Sequence, residues 1–122
     1  MGEIRVRAAR GAIRVDQDTV SSVLTATERL LGLMLEGNEV APEDIVSVFF
    51  TVTDDLRSVF PAEAARRMGL GRVPLLCAQE IPVAGSMRAV IRVLLQFHTP
   101  RGVGEVKHVY LDGAETLRDD LG

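Results

Sequence analysis

Arg92 stands in the run Ala89-Val90-Ile91-Arg92-Val93-Leu94-Leu95, in which every other residue is apolar. A stretch so rich in Val, Ile and Leu predicts an interior strand, buried on both faces. Arginine keeps its charge in proteins, and an unpaired charge is expensive to bury. The strand holds no acidic residue, so a carboxylate from another segment, or from a ligand, must answer it. Glu80 is the first candidate, because it comes just after a second apolar run, Leu75-Leu76-Cys77-Ala78, with only Gln79 between. Taken alone, Glu80 would read as a solvated loop residue. Arg10 ends the apolar alternation Ile4, Val6, Ala8 and is followed by Gly11. Alone, it would read as an end-of-strand charge turning to solvent. Arg66, on a short helix, and Arg118, in a polar tail, are ordinary solvated residues when each is considered by itself.

Cys77 reads as a small buried thiol, since no histidine lies near it in sequence to make a Cys–His nucleophile. Tyr110, the sole tyrosine, reads as a packed ring with its hydroxyl at a rim. His108, two residues earlier, reads as structural, and Phe60 as a packing residue at a helix start. What survives is a constellation: Arg10, Arg66, Arg92 and Arg118 as candidate cations, with Glu80 as the one strong acidic candidate among them. It suits a small dianionic organic ligand. Arg10-Gly11-Ala12 and Gly69-Leu70-Gly71 match neither a Walker loop nor a dinucleotide fingerprint. With no convincing general base, metal set or phosphate loop, any reaction here needs little proton transfer.

The composition narrows the classes further. Hydrophobic residues make up 47% of 122 and charged residues 25%, the balance of a globular chain rather than a disordered one. The length suits one domain, 1–122, with a single core. A net charge of −3 argues against nucleic acid or an anionic membrane as partner. Thirteen of the fourteen basic residues are arginine, whose planar fork pairs with carboxylates. A single cysteine excludes an internal disulfide and a thiolate zinc site, and two separated histidines without H-E-x-x-H predict no metal site. No apolar run has the length of a signal peptide or a membrane span, so a cytoplasmic location is expected.

The elements that must position these residues are legible from periodicity. Residues 3–10 alternate as a half-buried strand. Residues 19–36 carry Val20, Val23, Leu24, Thr27, Leu30, Leu31, Met34 and Leu35 at helical spacing, with Asp18 as expected N-cap and Gly37-Asn38 as the stop. A short helical turn at 41–44 leads into a strand at 45–52. A short helix follows over 60–69, with Pro61 in its first turn and Gly69 at its end. Pro74 marks a strand at 73–78 as an edge or a strand start. Strands at 88–98 and 105–111 complete the set, and the polar tail from 112 has room for one helical turn. The expected fold is mixed α/β (α+β): a five-stranded mixed sheet, one long helix and one short one. A single long helix cannot cover both faces of five strands, so other copies of the chain must cover the second face.

The blocks Arg10-Gly11-Ala12, Val59-Phe60-Pro61-Ala62 with Arg66, Pro74 to Glu80, Ile91-Arg92-Val93, His108-Val109-Tyr110-Leu111 and Leu117-Arg118 together resemble the trimeric α/β-barrel class of chorismate mutase. This class is monofunctional and distinct from the all-helical one. The resemblance runs nearly end to end, in order and with compatible spacing. It implies a trimeric pseudo-α/β-barrel with active sites between neighbouring subunits. It also implies conversion of chorismate to prephenate, a [3,3]-sigmatropic step on the route to phenylalanine and tyrosine, without a cofactor. By resemblance, Arg92 donates to the breaking ether oxygen, while Glu80 accepts from the ring hydroxyl and holds Arg92. Cys77 neighbours that hydroxyl without acting as a nucleophile. Arg10 and Tyr110 bind carboxylate and ether groups, Phe60 lines the apolar wall with Leu75 and Leu76 near the ring, Leu117 is a further substrate-binding residue, and Arg66 and Arg118 are outer arginines. One departure is Glu63, where members of the family can carry lysine. Two alternatives are a trimeric enamine/imine deaminase of the same general fold and a non-enzymatic carboxylate-sensing trimer. The deaminases lack the Cys77, Glu80 and Arg92 combination at this spacing.

Overall fold

The apolar stripe of residues 20–35 becomes α1 (Val20–Gly37), which buries Val23, Leu24, Leu30, Leu31 and Met34. The computed structural model describes residues 2–121. Thr19, not Asp18, caps α1: its Oγ1 accepts the Ser22 N–H at 3.1 Å. Asp18 faces away and accepts the backbone N–H groups of Arg57 and Ser58 at 3.0 Å, tying the helix start to the loop beyond the second strand. At the other end Asn38 donates to the Met34 carbonyl and pairs with the backbone of Lys107 in both directions.

Five strands follow the expected order: β1 (Arg5–Arg14), β2 (Ile45–Val52), β3 (Leu75–Gln79), β4 (Val90–Thr99) and β5 (Val109–Leu111). A 3₁₀ turn at Pro42–Asp44 precedes β2, and α2 (Ala62–Arg67) lies between β2 and β3. The sheet runs β3-β2-β4-β1-β5 and is mixed, with β1 and β2 antiparallel to β4, and β5 and β3 parallel to their neighbours. Pro74 immediately precedes β3, which is an edge strand as its proline predicts. Most boundaries shift by one or two residues, and three segments depart by more. β1 continues through Arg10-Gly11 to Arg14. β5 shrinks to three residues, because Asn38 takes the Lys107 backbone groups that a longer strand would use. The tail forms an eight-residue 3₁₀ segment, Ala114–Leu121, rather than one turn.

Gly11 explains why β1 does not stop where its side-chain pattern does. It is buried under α1, and a Cβ there would lie 2.5 Å from Met34 Sδ and 3.1 Å from Leu30 Cδ1. Both neighbours are fully buried, so neither side chain has open space to swing into. Gly11→Ala is therefore expected to destabilise the fold by roughly 1–3 kcal/mol through overpacking. Urea denaturation should show a lower midpoint at unchanged slope, and an unmoved midpoint would mean that the helix tolerates the methyl.

The core lies between α1 and one face of the sheet. Ala9 and Ile13 of β1, Val48 and Phe50 of β2, and Ile91, Val93, Leu95 and Phe97 of β4 all point into it. Strand alternation sends their neighbours to the opposite face. That face carries no helix layer, so β4 is not buried on both sides within one chain, contrary to the expectation from its composition. Val6 stays 50% exposed and Leu76 58%. A small second cluster, Ala12, Val90 and Ala114 with Met87, Tyr110 and Leu117, seals one end of the open face.

Candidate active site

Strand register lays the candidate residues out in rows across the open face. One row is Ala78, Thr51, Arg92, Ala12 and Tyr110, one residue from each of the five strands. The adjoining row is Leu76, Phe49, Leu94 and Arg10. Between them lies a concavity of about 330 Å³ lined by Arg10, Thr51, Arg92 and Tyr110 over an apolar floor of Ala12, Phe49 and Leu94. Arg10 and Arg92 thus come from adjacent antiparallel strands and share one cavity.

Glu80 reaches this face from just beyond the end of β3. Its backbone N–H donates to Val52 O at 2.9 Å, which anchors the residue to β2. Its Oε2 accepts the Thr51 hydroxyl at 2.7 Å and lies 3.0 Å from Arg92 Nε. The buried Nε–H is not aligned on that oxygen, so the contact is Coulombic rather than a hydrogen bond. The Arg92 side chain remains 42% exposed and that of Glu80 21%. At that exposure the pair contributes little stability, about 0–1 kcal/mol. Its consequence is geometric: a carboxylate sits at the root of a guanidinium that lines the cavity.

The start of β4 is fixed two residues before Arg92. Ala89 has a positive φ of 57°, a conformation that strains a residue with a Cβ. The Asp55 carboxylate accepts its N–H at 3.0 and 3.2 Å, and the Thr53 hydroxyl donates to Asp55 and accepts from Val90. Burial alone would raise the Asp55 pKa. The Thr53 hydroxyl, the Ala89 N–H and the Arg88 charge outweigh it and hold the carboxyl below its ordinary value.

Of the residues expected at the site, Arg10, Glu80, Arg92 and Tyr110 are brought together, with Leu117 packed close to Tyr110. Arg118 is exposed, yet near enough to His108 to bear on its charge. Cys77 and Phe60 lie apart from these, in a crevice of about 470 Å³ at the β3 edge that also takes in Val59, Pro61 and Gln79. Phe60 is 72% exposed there. No histidine lines that crevice. Arg66 and Arg67 both pair with Glu63 on α2, at 3.2 and 3.5 Å. Leu75 packs into the helix-side core while Leu76 faces the open side, as adjacent strand residues must. Sequence reasoning missed Phe49, Thr51 and Leu94. The alternation of β2 could have found the first two, since Phe49 and Thr51 fall opposite the core residues Val48 and Phe50. Among the described residues no three His, Cys, Asp or Glu side chains gather as a metal site.

This arrangement can bind an anion between two guanidiniums, orient it against a phenol and a carboxylate, and offer a fixed positive charge in a partly apolar cavity. Relatives with the same fold are known. A family model described as chorismate mutase type I matches residues 6–121. The chorismate mutase AroH of Thermus thermophilus is 52% identical over 117 residues, covering 95% of this chain and 96% of that protein. The AroH of Bacillus subtilis (strain 168) is 39% identical over 117 residues, covering 95% and 92%. A solved chorismate mutase from Clostridium thermocellum superposes with a TM-score of 0.89 at 43% identity, over 90% of this chain and 98% of that one. Near-complete coverage at these identities, on the same mixed sheet, shows that the chain belongs to the type I chorismate mutase family.

Proposed function

We propose that the chain acts as one chorismate mutase domain, a cytoplasmic isomerase that converts chorismate to prephenate as a homotrimer. The observation that carries the reading is the Arg92 guanidinium, rooted on Glu80 and turned into a cavity shared with Arg10 and Tyr110. In the rearrangement one C–O bond of the substrate breaks and one C–C bond forms, with the electron pairs moving in a ring. No atom enters or leaves, so neither an acid–base pair nor a cofactor is required. Negative charge grows on the ether oxygen as its bond stretches. Arg92 donates to that oxygen and stabilises the transition state more than the ground state. Glu80 keeps Arg92 in place and accepts from the ring hydroxyl. Arg10 and Tyr110 hold a carboxylate, which keeps the enolpyruvyl arm folded over the ring and removes entropy cost in advance.

The second wall comes from a neighbouring subunit. Support for this lies in the division of the expected residues: the cavity and the Phe60–Cys77 crevice share no lining residue. In a trimer the edge crevice of one chain meets the open face of the next. Cys77 then lies beside the ring hydroxyl, Phe60 and Leu76 supply apolar contact, and Leu75 contributes through its backbone. Leu117 backs Tyr110, and Arg66 and Arg118 attract the dianion from the rim. The deaminase and carboxylate-sensor alternatives receive no support from the family match.

The test is direct. Purified protein should consume chorismate and yield prephenate without added metal or cofactor, and sedimentation equilibrium at micromolar concentration should return a trimer mass. Absence of turnover would overturn the activity. A turning-over monomer would overturn the shared site.

A further inference from the structure

β5 pairs with β1 at only three residues, Gly11, Ala12 and Ile13. One residue earlier, Arg10 still pairs with Leu94 of β4, but the β5 ladder has ended. A side chain takes over there. The Arg10 backbone N–H donates to His108 Nδ1 at 2.9 Å. Residues 5–9 have β4 alone as their strand partner, so Arg10 marks the junction between a strand held on both sides and a strand held on one.

We infer that His108 is a positioning residue for Arg10: by accepting the Arg10 N–H it pins the junction and so fixes where the Arg10 side chain enters the cavity. This rests on the assignment of Arg10 to the substrate carboxylate. An imidazole nitrogen accepts only without a proton, so the neutral ring with Nε2 protonated is the working form. The charged groups bearing on the ring are Arg10 on β1 and Arg118 on the C-terminal 3₁₀ segment. Burial first, then these two cations, hold the His108 pKa below its ordinary 6.5. The direction sets the sign of the pH effect. Well above 6.5 the ring is neutral in folded and unfolded chains alike. As pH falls through 6.5 the unfolded chain takes up the proton first, so the fold loses stability, and below the folded value the bond to Arg10 is gone.

Two variants test this. His108→Asn places a carboxamide oxygen near Nδ1, where it can accept but cannot titrate. His108→Leu removes the acceptor. Near neutral pH, His108→Leu should raise KM, lower kcat/KM by roughly 10–100-fold and speed hydrogen exchange at the Arg10 amide. His108→Asn should keep most of kcat/KM and the amide protection, and should lose the acid-side fall of kcat/KM expected of the unaltered enzyme as His108 takes up its proton, at a pH below the ordinary imidazole value. A folded His108→Leu with native kinetics, or an unchanged acid limb in His108→Asn, would overturn the inference. If His108→Leu does not fold, the His108→Asn profile decides alone. Arg10→Ala separates the two levels. If it is silent, the carboxylate assignment fails and takes this inference with it. A severe Arg10→Ala beside a silent His108→Leu overturns the positioning role only.

Discussion

Replacing Arg92 with alanine is expected to lower kcat by roughly 10²–10³-fold, about 3–4 kcal/mol, with a much smaller change in substrate binding. The size follows from where the charge sits. The guanidinium is rooted 3.0 Å from Glu80, and in the proposed role such a held donor needs no reorganisation as charge develops on the ether oxygen. The fold should survive, because a pair this exposed contributes about 0–1 kcal/mol. Glu80 is not orphaned either, since Thr51 still donates to it and Val52 holds its backbone. Arg92→Lys should remain strongly impaired: it keeps a charge but loses the planar fork that lets one edge face Glu80 and another the substrate. A donor that acted equally on ground and transition states would produce the reverse pattern, a raised KM with kcat preserved. Steady-state kinetics on a folded, trimeric Arg92→Ala that returned near-normal kcat would remove Arg92 from the chemistry.

The second large effect is a gain. In the proposed trimer, Arg92→Ala spoils the open face of a subunit and leaves its edge crevice intact, while Phe60→Asp puts a negative charge into the edge crevice and leaves the face intact. Each homotrimer should be nearly inactive. Refolded together in equal amounts, they should recover about a quarter of the unaltered activity, because a site is whole only where an intact face meets an intact edge in cyclic order. Sites built within single subunits would give no recovery at any mixing ratio. The measurement is chorismate consumption before and after co-refolding, with subunit exchange checked by native mass spectrometry.

The sequence carried the α1 stripe, β2, the edge position announced by Pro74, and the bare second face, since each follows from periodicity or from one residue with a single strong preference. Glu80 was readable as the partner of Arg92 because a carboxylate ending an apolar run has few other uses. Other features depend on contacts between distant segments. β1 was read as ending at Arg10 because Gly11 shows no side chain to a periodicity argument, although its bareness is what admits Met34. Asp18 lost the cap to Thr19 because its carboxylate is engaged by Arg57 and Ser58, forty residues away in the chain. β5 was read too long because Asn38 competes for the Lys107 backbone. Thr51 was overlooked because a hydroxyl inside an apolar run looks like filler until register sets it beside Arg92.

The place of β4 in the sheet governs how the enzyme comes into being on the ribosome. β4 lies between β2 and β1, which share no ladder of their own. While residues 5–79 emerge, β2 with β3 is the one native strand pair available among the described residues. Even the β1–β4 partners nearest in sequence, Arg14 and Val90, must wait for nearly three quarters of the chain. Long-range pairings of this kind fold slowly, in about milliseconds to seconds, because loop closure comes before any reward from contacts. The strand that completes the core also delivers Arg92, so a partly synthesised chain has neither. Mutase activity therefore cannot precede the synthesis of β4 and the closing of the central ladders.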